Sequence, residues 1–246
     1  MMHNIPGEIF RVSYGDLCYM RRNMIPTLVS TLVGPLLYLV AFGYGMRAGD
    51  SDYIAYVIPG IIAISSMNSG FSASSQKIVI QRLFHSSFDE LILCPMHTTS
   101  VIFGKCMMGI IRGLVGGLII ICLGMLLTSG LCISAGLILA MLMSSVTFSL
   151  LGVAAGLLAN STPTLTMFNS IIILPMSFMC GTLFDVNALP SVVADIVWAL
   201  PLSHTTSILR SVAIGTEVDW VSVVILMAYM LLFYTICHIV IRKKLY

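Results

Sequence analysis

Polar residues that interrupt the apolar stretches of this sequence are the first candidates for chemistry. Arg112 lies one to two turns inside an apolar run, where a charged side chain is costly and indicates a role in a substrate pathway or gate. The alternative is that its long stem carries the guanidinium back to the membrane surface. Asn68 and Asn169 stand among serines in two other apolar runs. Because small polar residues also pack helices together, pathway and packing roles both stay open for them.

The sequence lacks the patterns on which most membrane enzymes and ion-driven carriers depend. The apolar runs hold no chain of acids or histidines for a proton relay, and His238 has no visible partner. The chain contains no G-x-x-x-x-G-K-[ST] loop for nucleotide phosphates. Its seven cysteines show no CxxC or CxxH spacing, so no metal site is predicted. We predict that the chain is not an enzyme and binds no cofactor, so that any driving energy comes from elsewhere.

Composition places these residues in a membrane protein. Of the 246 residues, 58% are hydrophobic and only 9% are charged, whereas a soluble domain is about 45–50% apolar and about 25% charged. The excess apolar surface must face the lipid bilayer. A soluble enzyme and a disordered chain are therefore excluded. A net charge of +2 is too small to indicate a nucleic-acid partner.

Six apolar runs approach the length that a helix needs to cross a bilayer, about 20 residues. They predict an all-α, polytopic integral membrane protein with one transmembrane domain over residues 1–246. The predicted spans are 24–46, 53–74, 106–127, 133–158, 165–182 and 221–241.

The distribution of basic residues predicts the orientation. With the N-terminus inside, nine of the twelve Lys and Arg residues fall on the cytoplasmic side, and only Arg47 and Arg210 fall outside. Cytoplasmic loops carry such an excess of basic residues. We therefore expect a multi-pass protein of the cell membrane with both termini in the cytoplasm.

Two further helices are predicted on the cytoplasmic side. Residues 8–22 have apolar residues on one face, with Arg11 and Asp16 off it, which favours a helix lying at the inner membrane surface over a polar tail. The loop at 76–105 predicts a short helix that Pro95 ends. Its apolar residues at near-helical spacing are Ile80, Leu83, Phe84, Phe88, Leu91 and Ile92. This helix either docks a partner protein or rests on lipid headgroups.

The outer segment 184–220 is too long for a turn and too apolar for a plain loop. An apolar face repeats at helical spacing from Leu189 to Leu200, between Pro190 and Pro201, and a second segment runs from Leu202 to Ile214. Each is too short to span the hydrocarbon, so we predict two re-entrant helices in the outer leaflet. A disulfide between Cys132 and Cys180 would form only if both lie near the outer surface.

Several motifs resemble a known family. The stretches PLLYLVAFGYG and YVIPGIIAISSM are followed by FDELILCPM and then by IFGK, which contains Lys105. The outer segment adds LPMSFMCGTLFDVNALP and WALPLSHTTSILRSVAIG. In this order and spacing they resemble the membrane subunits of type-2 ABC exporters, of the drug-resistance, polysaccharide-export and nodulation-factor-export type. The resemblance covers residues 8–241.

The resemblance implies a permease that dimerises and binds two copies of a cytoplasmic ABC ATP-binding subunit, which binds the ATP. The cytoplasmic helix would receive the push of the ATPase, and the polar span residues and the outer helices would line or gate the pathway. The residues expected to couple to the ATPase are Arg82, Phe84, Phe88, Asp89, Glu90, Leu91 and Ile92. Those expected in the pathway or gate are Asn68, Arg112, Asn169, Phe184, Val193, Ile196 and His204. The alternatives are a non-transporting membrane scaffold or assembly subunit and an ion-driven carrier.

Overall fold

The computed structural model describes residues 5–43, 51–85, 87–94, 96–127, 134–179 and 191–245, and every regular element in these ranges is a helix. The helices, in chain order, are α1 (Ile5–Arg22), α2 (Met24–Gly43), α3 (Ser51–Leu83), α4 (Ser87–Leu93), α5 (Thr98–Leu127), α6 (Ala135–Leu158), α7 (Thr162–Phe168), α8 (Leu174–Met179), α9 (Ser191–Trp198), α10 (Pro201–Ile214) and α11 (Trp220–Leu245). A π-helical segment, Asn169–Ile173, joins α7 to α8. The predicted all-α class is confirmed.

Four of the described helices are long and apolar enough to cross a membrane, namely α2, α5, α6 and α11. The other two predicted spans have a different structure. The span predicted at 53–74 lies inside α3, a 33-residue helix whose inner half is rich in serine. The span predicted at 165–182 is divided among α7, the π-helical segment and α8 as far as residue 179. A π-helical turn inserts extra backbone into a helix, which explains why this stretch is not one regular helix.

The centre of the fold is α3, packed against α5 and α6. Its middle turns, including Ile61, Ile62 and Met67, are fully buried. Small residues let the helices approach closely: a Cβ atom on Gly152 of α6 would lie 2.6 Å from the backbone oxygen of Phe71. Glycine and serine at such contacts let the helix backbones come close together. In a bilayer the hydrophobic effect does not drive helices together, so close packing of this kind stabilises their association.

One end of the bundle, which we call the α1 end, carries both the N-terminal helix and the last turns of α11. The Glu8 carboxylate on α1 accepts a hydrogen bond from the backbone N–H of His97, just before α5. At the start of α5, the Thr99 and Tyr234 hydroxyls are 2.9 Å apart, which fixes α11 there. Helix α1 and the last turns of α11 therefore lie on the same side of the bundle.

The opposite end, which we call the α10 end, carries the two short helices predicted in the outer segment. Pro201 occupies the first turn of α10, where its missing N–H costs nothing. The Arg210 guanidinium lies 3.6 Å from the ring centroid of Tyr56 on α3, a cation–π contact. The Tyr229 hydroxyl on α11 donates to the Ala199 carbonyl between α9 and α10. These contacts pack α9 and α10 against the bundle, and the two short helices predicted in this segment are present over residues 191–214.

The contact at Gly152 predicts a stability effect. Gly152→Val places a branched side chain against the backbone of α3, and such overpacking costs about 1–3 kcal/mol. We expect a lower melting temperature for the purified protein in detergent. Gly34→Val is the matched control, because no heavy atom lies within 4 Å of the Cβ position at Gly34 on α2. Equal melting temperatures for the two variants would contradict the close approach of α3 and α6.

Candidate functional site

A buried carboxylate joins three helices at the α1 end. Asp16 of α1 is 4% exposed, and its oxygens lie 3.0 Å from the Lys105 ammonium of α5 and 3.4 Å from the Lys77 ammonium of α3. Gln81 of α3 also donates a hydrogen bond to the Asp16 carboxylate, at 3.2 Å. Lys105 is nearly as buried as Asp16. This Asp16 cluster therefore fixes α1 against both α3 and α5.

The cluster corrects the face that the sequence pattern assigned to α1. That pattern put Asp16 off the apolar face that was predicted to lie at the membrane surface, whereas Asp16 is buried within the bundle beside Val12. Val12 and Asp16 are four residues apart and so share one side of the helix. The apolar pattern alone could not show this, because a carboxylate can be buried when it meets cations.

A glycine explains how α1 comes so close to α5. A Cβ atom on Gly104 would lie 2.6 Å from Cγ1 of Val12. Only glycine therefore allows this contact without a shift of one helix. Lys105 is the next residue, so the same contact brings its ammonium to Asp16. The sequence analysis identified Lys105 only as part of a family-like motif and missed its ion pair.

A cavity of about 660 Å³ opens beside the Asp16 cluster, between the α1–α2 junction, α3 and α5. We call it the α2–α5 cavity. Its described lining contains no Asp or Glu. The polar and charged groups that matter for its chemistry are Tyr19, Asn23, Ser30, Lys77, His85 and Arg112. The cavity is therefore a space at the α1 end of the bundle whose charged lining residues are basic.

Arg112 lines this cavity and turns its guanidinium toward α2. Its guanidinium donates to the Thr31 hydroxyl at 2.9 and 3.2 Å and to the Ser30 hydroxyl at 3.2 Å. Beyond Arg112, a smaller cavity of about 180 Å³ is lined by Asn68 and Ser72 of α3. The structure thus brings together two residues predicted for the pathway, Asn68 and Arg112, in the lining of this one groove.

The residues predicted for ATPase coupling divide into a buried set and an exposed set. Phe88 is 1% exposed and packs in a core cluster with Ile102 and Cys106, and Leu91 packs partly against the same cluster. Phe84, at 70% exposed, lies just before α4 and stays uncovered. Glu90 is also exposed. The residues Asp89 and Ile92 belong to α4, but their side chains lie outside the described part of the structure.

Arg82, another residue predicted for coupling, caps α6. Its guanidinium donates to the backbone carbonyls of Gly156, Leu157 and Ala159, at 2.9, 2.6 and 3.2 Å. The last carbonyls of a helix have no partner within the helix and carry partial negative charge, so a guanidinium stabilises them. Arg82 therefore locks the end of α3 to the end of α6.

The remaining predicted pathway residues lie apart from one another. Asn169 begins the π-helical segment and lines a cavity of about 380 Å³ that Phe84 also lines. His204 is buried at the α10 end on α10, and Ile196 is exposed on α9. The position of Val193 on α9 is known but its side chain is not described. Outside the described residues lie Phe184, Cys132 and Cys180.

The buried histidine of α10 belongs to a hydrogen-bonded chain that reaches the start of α11. Nδ1 of His204 lies 3.2 Å from the Ser222 hydroxyl, and Ser222 donates to the Asp219 carboxylate at 2.7 Å. The hydrogen bond from Ser222 lowers the pKa of Asp219. Asp219 also accepts from the backbone N–H of Val221, so it caps the first turn of α11. This chain fixes α10 to α11.

Comparison with known proteins gives one family. A family model described as ABC-2 type transporter matches residues 12–214. The Inner membrane transport permease YadH of Escherichia coli (strain K12) is 24% identical over 230 residues, which cover 90% of each chain. Nodulation protein J of Bradyrhizobium diazoefficiens is 22% identical over 209 residues, covering 81% of this chain and 78% of that protein. Nodulation protein J of Rhizobium meliloti (strain 1021) is 22% identical over 200 residues, covering 78% and 76%.

The Asp16 cluster predicts a large stability effect from a small change. Asp16→Asn removes the carboxylate and leaves the Lys105 ammonium buried without its counter-charge, and breaking a buried ion pair in this way costs about 3–5 kcal/mol. We expect a clear loss of thermal stability in detergent.

Two further variants test the cause of that loss. Glu8→Gln changes a carboxylate on the same helix whose contact, the His97 imidazole, is well exposed, so it should have a smaller effect. Adding Lys105→Met to Asp16→Asn should recover part of the stability, because the unpaired charge is then gone. If the double variant is less stable than Asp16→Asn alone, charge burial is not the cause.

Proposed function

The chain belongs to the ABC-2 type transporter family, and we propose that it is the membrane subunit of an exporter driven by a separate ATP-binding subunit. The family resemblance inferred from the motifs is confirmed by the match over residues 12–214. In this proposal the chain forms the substrate pathway and carries out no ATP chemistry itself. Two copies would assemble with two ATP-binding subunits in the cell membrane.

The observation that best supports the proposal is an uncovered apolar surface at the α1 end. Leu93 at the end of α4 is 82% exposed and Phe84 just before it is 70% exposed, although Phe88 between them is buried. Leu83 is also exposed. Exposed apolar side chains of this size fit the contact surface of a partner protein, where a few large anchors supply most of the binding energy. We call Leu83, Phe84 and Leu93 the docking surface.

The docking surface is joined firmly to the helices that line the cavities. Phe88 anchors α4 in the core cluster that includes residues of α5 and α6. Arg82 ties the end of α3, directly before the docking surface, to the end of α6. A displacement of α4 by a motor subunit would therefore move α3, α5 and α6 rather than bend a loose loop. Such a rigid connection is what mechanical coupling requires.

The ion-driven alternative has weaker support. Among the residues that the structure describes, Asp16 is the one fully buried carboxylate. It already faces two ammonium groups, from Lys77 and Lys105. Its two oxygens are thus already occupied by contacts that hold α1 to α3 and α5, which is a structural role. No contact in the described part of the chain specifically favours a scaffold role.

The same proposal sets the orientation. The α1 end would face the cytoplasm, where the ATP-binding subunit is, and α9 and α10 would face outward. The Lys and Arg distribution supports this orientation. The short helices α9 and α10 would then act as an outer gate, held by the hydrogen-bonded chain from His204 to Asp219.

The docking surface gives a direct test of the partner. Leu93→Asp should sharply reduce co-purification with the ATP-binding subunit when both are co-expressed, because a charge replaces an exposed apolar anchor. A contact residue of this kind contributes about 2 kcal/mol or more if it is a hot spot. Leu93 is hardly packed within the chain, so the melting temperature of the permease alone should not change.

Leu126→Asp is the matched control, since Leu126 is 83% exposed at the far end of α5. That variant should bind the ATP-binding subunit normally. If Leu93→Asp and Phe84→Asp both retain full binding and coupled ATP hydrolysis, the docking site lies elsewhere on the chain.

Orientation is tested by labelling single cysteines with a membrane-impermeant maleimide, after the seven native cysteines have been replaced. Asp219→Cys, before α11, should react in intact cells. Lys243→Cys, at the end of α11, should react only after permeabilisation. The reverse pattern would invert the proposed orientation.

A further inference from the structure

We propose that the α2–α5 cavity binds the anionic headgroup of an amphiphile, with Arg112 and Lys77 as the cations that hold it. That the cavity binds an anionic headgroup is inferred from the charges and shape of the cavity alone. The statement that this amphiphile is the transported substrate rests on the function proposed above.

The lining of the α2–α5 cavity carries an excess of positive charge. Arg112 donates only to the hydroxyls of Ser30 and Thr31, and no carboxylate lies within ion-pair distance of it in the described part of the chain. The nearby Asp16 carboxylate is shared between two ammonium groups, so Lys77 is only partly neutralised. Unneutralised cations within a membrane protein are costly, and an anionic ligand would remove that cost.

The lining of the cavity also offers several hydrogen-bond donors. Guanidinium and ammonium groups are donors without acceptor capacity, and the cavity adds amide donors from Asn23 and Gln76. Such a lining suits a group that offers several acceptor oxygens, such as a phosphate, sulfate or carboxylate. A guanidinium can also bind an oxyanion through two parallel hydrogen bonds. The volume of about 660 Å³ lies in the range of ordinary ligand sites.

An apolar cleft beside Arg112 favours an amphiphile over a free anion. On another side of Arg112, a shallow cleft between α1, α2 and α5 is almost wholly apolar. Its lining includes Met20, Met24, Leu28, Ile111 and Val115. Much of α2 is exposed on the surface of the bundle, including Ile25 and Val29. An alkyl chain attached to the bound headgroup can therefore lie along α2 beside the lipid, while Arg112 meets the charge.

The test is a binding measurement on the purified full chain in dodecyl maltoside, followed by native mass spectrometry. The probes are dodecyl phosphate, dodecylphosphocholine and inorganic phosphate. Wild-type protein should bind dodecyl phosphate about tenfold more tightly than dodecylphosphocholine, because the quaternary ammonium of the latter meets a basic lining. Inorganic phosphate should bind much more weakly than dodecyl phosphate, because it lacks the alkyl chain.

Binding of dodecyl phosphate by single-residue variants shows which side chains form the site. Arg112→Gln should weaken binding of dodecyl phosphate about tenfold, whereas Arg112→Lys, which keeps the charge, should retain most of the affinity. Lys77→Gln should also weaken binding. Arg242→Gln is the matched control, because Arg242 is exposed near the end of α11 and away from the cavity. Melting temperatures of all variants identify any that fail to fold.

Three results would overturn the proposal. Equal affinity of the wild-type protein for dodecyl phosphate and dodecylphosphocholine would exclude an anion site, whatever the variants do. Equal affinity for dodecyl phosphate and inorganic phosphate would exclude the amphiphile. Unchanged binding by folded Arg112→Gln and Lys77→Gln would place the site elsewhere. No ATP-binding subunit is present in this assay, so a failure of the proposed export function would leave these affinities unchanged.

Discussion

Close contact between α3 and its neighbours is the constraint on which the rest of the structure depends. At Gly152 the backbones of α6 and α3 meet so tightly that even a methyl group has no space. This contact fixes the position of every residue further along α3, including Lys77, Gln81 and Arg82. These three residues in turn contact α1 and α6 through the Asp16 carboxylate and the last carbonyls of α6. In a membrane, helix association depends on such close packing and polar contacts more than on the hydrophobic effect.

The charges at the α1 end have two different roles. Asp16, Lys77 and Lys105 form a cluster in which a buried carboxylate meets two cations, and this cluster holds α1 to the bundle. Arg112 is bonded only to hydroxyls in the described part of the chain, at the boundary between two cavities. The first arrangement is structural, although one carboxylate faces two ammonium groups and so leaves Lys77 only partly neutralised. The second leaves a cation facing open space, which is the condition for binding an anion from outside the chain.

In the proposed transporter, motion at the docking surface must reach the groove beside Arg112. Phe88 sits in the core, and Arg82 spans from α3 to α6, so the segment around α4 is part of the helical bundle. The groove beside Arg112 and Asn68 lies along the same helix α3. A single stiff helix therefore connects the proposed motor contact with the proposed ligand site. Between α7 and α8, the segment Asn169–Ile173 is π-helical, so its geometry already departs from that of an α-helix.

The sequence alone determined the class of the protein. Too few charged residues to cover a soluble domain, together with long apolar runs, require an all-α membrane protein, because only helices and closed barrels satisfy their backbone polar groups in lipid. The apolar spacing around Phe88 and the prolines at 190 and 201 also predicted α4, α9 and α10, since a helix face and a proline stop act within a few residues of chain.

Contacts between distant residues were decided only by the tertiary structure. Asp16 and Lys105 are 89 positions apart, and Arg82 meets carbonyls of α6 more than 70 positions away. The family resemblance implied that Arg82 and Phe88 couple to a partner protein, and only the tertiary structure shows that Arg82 also caps α6 and that Phe88 is buried in the core. A side chain on a helix can face a neighbouring helix, lipid or a partner, and the apolar pattern is nearly the same in all three cases. The burial of a charge depends on which opposite charge the fold brings to it, and this no local pattern encodes.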